Sequence, residues 1–93
     1  MVIWKYPLAY QRVGDNLVVD LELPVSARAL AVGVQACTPV LWVQVDLDAP
    51  LRRTARFYCV MTGQLSAPHP TYVGTVLLDD GAFVLHVFGP QWL

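Results

Sequence analysis

Seven apolar runs, each closed after a few residues by glycine, proline or an aspartate–asparagine turn signal, occupy almost the whole chain. Runs this short are strand-sized, and the turn signals between them mark hairpins. The cleanest pair flanks Asp80-Gly81: Val76-Leu77-Leu78 on one side and Phe83-Val84-Leu85 on the other. A tight two-residue turn needs positive φ angles, which Asp-Gly supplies readily. Leu17 to Leu23 alternates, with Leu17, Val19, Leu21 and Leu23 on one face and Val18, Asp20 and Glu22 on a wet one. Ser26 to Gln35 reads either way. Ala27-Arg28-Ala29-Leu30-Ala31 favours helix, with Ser26 as an N-cap. Leu30, Val32 and Val34 alternate with smaller or polar residues, and a short Ala36-Cys37-Thr38 connection leads into the apolar run Val40–Val45, so strand is preferred.

The expected fold is therefore all-β: one domain, residues 1–93, forming a compact antiparallel β-sandwich or partly open barrel of about seven short strands. One short helical turn near residues 24–30 or 47–53 is compatible with it. Ala55 to Met61 is apolar or aromatic on both faces and belongs centrally or under a partner. Gln64 to Pro70 is the longest polar, proline-bearing loop. Trp42, inside its apolar run, is assigned to the core.

Composition bears on partners. Of the 93 residues, 56% are hydrophobic and 14% charged, against a usual charged share of about 25%. A domain this small has too much surface to hide that apolar material by itself. The excess points to a protein partner or to a homodimer or higher homo-oligomer. A net charge of -1, from six Lys and Arg against seven acids, builds no dominant basic face, which argues against nucleic acid. No run reaches the ~18 residues of a membrane span, and Met1 to Pro7 lacks the pattern of a secretory signal. The expected location is the cytoplasm.

Few residues suggest chemistry. Cys37, in a turn, and Cys59, in a strand, are the two cysteines; with two distant histidines they form no zinc spacing. His86 is either a general base or a half-buried strand histidine bonded to a neighbouring strand or loop. The second is preferred, because no partner that would tune the imidazole is evident. His69, between Pro68 and Pro70, reads as a solvated loop residue. Asp79 and Asp80 fit turn chemistry better than a carboxylate pair. Neither a catalytic set nor a cofactor or metal site is expected. Arg52, Arg53 and Arg56 are the only basic cluster, a phosphate grip or a solvated edge that discourages strand pairing. Phe57 and Tyr58 follow them, and Trp92 lies beyond Pro90; these six residues are the expected partner-binding set.

A pattern runs from end to end: Ile3-Trp4-Lys5-Tyr6-Pro7-Leu8, Pro39, Leu41-Trp42, Val45-Asp46, Thr62-Gly63, Tyr72, Gly74-Thr75 and His86-Val87-Phe88. In order and spacing it resembles a family of short tailed-phage and prophage proteins. Two departures are the loop from Ala9 to Asn16 and Asp80-Gly81 in place of a Gly-Gly turn. The resemblance implies phage or prophage origin, residence in a bacterial host and an accessory role; it carries no established activity. The expected function is non-enzymatic binding of a host or phage protein, for example inhibition of a host defence system. The alternatives are a self-assembling structural or scaffolding component and an oligomer that sequesters a nucleotide.

Overall fold

A computed structural model describes residues 1–48, 51–65 and 71–93. Eight strands form among these residues: β1 (Val2–Pro7), β2 (Gln11–Val13), β3 (Asn16–Pro24), β4 (Arg28–Gln35), β5 (Thr38–Val45), β6 (Arg52–Met61), β7 (Thr71–Leu78) and β8 (Phe83–Gly89). They build two antiparallel sheets, one ordered β1-β5-β4 and the other β2-β3-β6-β8-β7. The architecture is all-β, and the sheets do not close into a barrel. The Gln64–Pro70 loop expected from sequence, with His69, falls largely on residues 66–70, outside the described residues.

The two inner faces meet in a core of Leu17, Val19, Leu23, Leu41, Val43, Val45, Ala55, Phe57, Cys59, Val76, Leu85 and Val87. Strand periodicity explains the membership, since every second residue of β3, β5, β6 and β8 points inward. The ambiguous segment is strand, as its alternation implies. No helical turn forms at 24–30. There the Ala27 N–H donates to the Pro24 carbonyl at 2.9 Å, a tight turn that moves the chain from one sheet to the other.

Four details differ from the sequence reading. β2 is an additional strand, paired with the start of β3; at three residues it is too short to carry a periodic signal. Val18, expected on a wet face, is buried, because its register sets it between Gln11 and Tyr58. Trp42 is half-buried on the outer face of the smaller sheet, its ring lying over Gly33. The β7–β8 ladder stops at Leu78–Phe83, one pair earlier than a two-residue turn requires. Asp79, Asp80 and Gly81 are all left-handed there, with φ of 52°, 53° and 87°.

The β4–β5 hairpin turns on Ala36 and Cys37, with φ of 49° and 63° and Gln35 paired to Thr38. This is a type I′ geometry occupied by two residues ill suited to it. Replacing Ala36-Cys37 by Asn-Gly is expected to raise folding stability by about 1 kcal/mol, since each left-handed L-residue costs roughly that much or more. Thermal unfolding measures it; an unchanged or lower midpoint would contradict the turn assignment.

β4 and β7, the edges of different sheets, lie beside each other without a backbone ladder joining them. At the crossing, a Cβ on Gly74 would sit 2.6 Å from Val32 Cγ2. A bare glycine is what lets the sheets approach there.

Candidate functional site

The run Arg52 to Tyr58 is one strand, and its period of two separates residues that are neighbours in sequence. Ala55, Phe57 and Cys59 point into the core; Arg52, Thr54, Arg56, Tyr58 and Val60 point away from it. Phe57 has 0% exposure, so its expected place on a partner surface is corrected: it is a core residue. Arg53 shares the inward parity but sits at the strand's end, where its guanidinium lies 4.0 Å from the centre of the Trp92 ring. Trp92 is half-buried and packs against the core. The six expected partner residues thus do not form one surface. Arg52, Arg56 and Tyr58 share the outer face of the five-stranded sheet, Arg53 and Trp92 make a separate cation–π cluster, and Phe57 is interior.

The outer face of the five-stranded sheet is the most organised surface among the described residues. Register places Val18 opposite Tyr58, Tyr58 opposite Phe88, and Phe88 opposite Tyr72. Three aromatic side chains therefore stand in a row across β6, β8 and β7. Tyr72 and Phe88 pack edge to face with centroids 5.6 Å apart, a favourable arrangement for aromatic quadrupoles. A second row carries Val60, His86 and Thr75. On the other flank are Asp20, Arg56, Glu22 and Thr54.

This polar flank is internally paired. Arg56 donates to both Asp20 oxygens, from Nε at 2.8 Å and from Nη2 at 2.9 Å. The Arg56 hydrogen bond holds the Asp20 carboxyl below its ordinary value, and the same pairing raises the pKa of Arg56. The Thr54 hydroxyl donates to Glu22. With Arg52 included, two cations balance two anions, so the flank has no net charge to attract a polyanion.

His86 is engaged on both ring nitrogens. Thr62 Oγ1 lies 2.8 Å from Nε2 and Thr75 Oγ1 3.0 Å from Nδ1, and the Tyr72 hydroxyl meets Thr75 in turn. The ring ties β8 to β7 and to the end of β6. Among the described residues its ring partners are the two threonine hydroxyls; this is the half-buried, strand-bonded histidine that the sequence favours. Cys59 is buried, and burial pushes its thiol up to about 11, so it holds almost no thiolate at neutral pH. Cys37 is exposed and free. Among the described residues no three His, Cys, Asp or Glu side chains gather as a metal-binding group.

Sequence reasoning found Tyr58 and missed Phe88, Tyr72 and Val60. Phe88 stands beside Tyr58 because β8, not β7, pairs with β6, and Tyr72 joins the row through a bulge between Tyr72 and Gly74. Straight pairing from the Asp80-Gly81 turn puts Val73, not Tyr72, opposite Phe88, and nothing in the sequence marks the slip.

A family model described as a domain of unknown function, DUF7352, matches residues 1–92. The chain belongs to this family. The DUF7352 match spans all eight strands and both faces just described. No curated protein and no solved structure matches the chain.

Proposed function

We propose that this DUF7352 chain is a non-enzymatic binding module that docks a protein partner on the outer face of its five-stranded sheet. The observation that carries the reading is the in-register row Tyr58–Phe88–Tyr72, bordered by the Arg56–Asp20 and Thr54–Glu22 pairs. An aromatic centre with charge kept to a polar rim is the composition of protein–protein interfaces. A neutral rim favours a protein over a nucleic acid. The phage-like sequence pattern, from Ile3-Trp4-Lys5 to His86-Val87-Phe88, supports a phage or prophage accessory protein acting in the bacterial cytoplasm. Its mechanism is steric: the sheet covers a surface the partner needs, as an inhibitor of a host defence system would.

Tagged protein in a bacterial host lysate tests this, with Tyr58→Ala/Val60→Lys as the comparison. Both residues are half-buried on the outer face, away from the core. A partner retained by the wild type is expected to be lost from the variant, while circular dichroism of the two proteins coincides. Equal retention by a folded variant, or no retained partner, would remove the proposal.

A further inference from the structure

We infer that the β4–β7 seam is where two copies of this chain meet, related by a two-fold axis with β7 of one copy antiparallel to β7 of the other. This goes beyond the proposed hetero-partner surface, which is centred on β6 and β8 and meets the seam at Tyr72. β7 ends the hydrogen-bonded ladder of its sheet, with β4 lying beside it at Gly74, and Thr71–Leu78 contains no charged residue and no proline. End strands are usually blunted by one or the other. The remaining edges are blunted: β1 carries Lys5 and Pro7, β2 has only three residues, and β4 is bulged at Leu30. Along the seam Tyr72 and Leu77 are 58% and 61% exposed.

Charge specifies the second copy as the occupant. β4 and β7 touch at Val32 and Gly74 and part on either side, leaving two shallow grooves of about 460 and 500 Å3. The first lies at the start of both strands, beside Arg28 and Thr71; the second lies at their far end, beside Leu77, Asp79 and Asp80. One end is thus positive and the other negative. Among the described residues the one ion pair is Arg56–Asp20, so Arg28, Asp79 and Asp80 are not committed to salt bridges. A two-fold axis across the seam reverses one copy against the other, as an isologous interface requires. Arg28 of each copy then faces Asp79 and Asp80 of its partner, and Tyr72 and Leu77 lie between.

Sedimentation of the full chain tests the seam. The wild type is expected to be a dimer. Leu77→Glu, at an exposed position, and Arg28→Glu are each expected to weaken association roughly tenfold or more. Mixing Arg28→Glu with Asp79→Lys/Asp80→Lys is expected to restore a dimer, because that pair has complementary charges at both ends of the interface. Asp79→Asn/Asp80→Asn keeps residues that tolerate left-handed backbone, and it is expected to weaken the wild-type dimer too. A monomeric wild type, or a dimer indifferent to Leu77→Glu and Arg28→Glu, overturns the inference.

Discussion

Phe57→Ala is expected to remove about 3–5 kcal/mol of folding stability. Phe57 is the largest of the fully buried side chains. Its ring is so closely packed that a Cβ on Gly89 would lie 2.9 Å from it. Truncation loses the apolar transfer term and leaves a cavity that strands on two sides hold open. A domain of this size has a total stability of only about 5–15 kcal/mol, so the loss is a large share of it. Urea denaturation followed by tryptophan fluorescence measures the change. Tyr58→Ala, the next residue on the same strand, points outward and is expected to cost much less. Similar losses at the two positions would mean that the alternation of β6 has been misassigned.

The second large effect is at the crossing of the sheets. In an ordinary strand, glycine to alanine stabilises by roughly 0.5–1 kcal/mol through chain entropy. Gly74→Ala is expected to have the opposite sign and to destabilise by about 1–3 kcal/mol, the usual range for overpacking. The new Cβ would stand 2.6 Å from Val32 Cγ2, and β4 would have to move away. Val32→Ala removes the obstructing methyl groups. The double variant is therefore expected to lose less than the two single losses added together, and that difference is the coupling energy of a double-mutant cycle. Strict additivity would show that the sheets do not meet at this point.

The fold class was legible because its signals are local. Alternation in Leu17–Leu23, the punctuation by Gly14, Pro24, Gly63 and Asp80-Gly81, and the apolar run at Val40–Val45 all act within a few residues. What escaped depends on pairing. Val18 is buried by strands that flank it in space, so its polar neighbours Asp20 and Glu22 gave the wrong impression of its face. Trp42 lies on an outer face because alternation sends Leu41, Val43 and Val45 inward, and Gly33, diagonal to it on the neighbouring strand, leaves room for the ring.

The candidate site was harder to read for two different reasons. Arg52, Arg53, Arg56, Phe57 and Tyr58 cluster in sequence, yet a period of two sends Phe57 inward and its neighbours outward; that division was available from β6 alone. The row of Tyr58, Phe88 and Tyr72 was not, since it depends on a bulge and on β8 lying between β6 and β7. Strand order is a non-local property, and β7 follows β6 in sequence without pairing to it.

On the proposed reading, one sheet face, made by alternate residues of β6, β8 and β7, receives the protein partner. Amide and methyl resonances followed while the captured partner is titrated in address it most directly. Shifts and broadening should concentrate at Tyr58, Val60, Val84 and His86, leaving Ile3, Lys5 and Trp42 on the three-stranded sheet unchanged. Perturbations centred on Ile3, Lys5 and Trp42, with the five-stranded face silent, would contradict it.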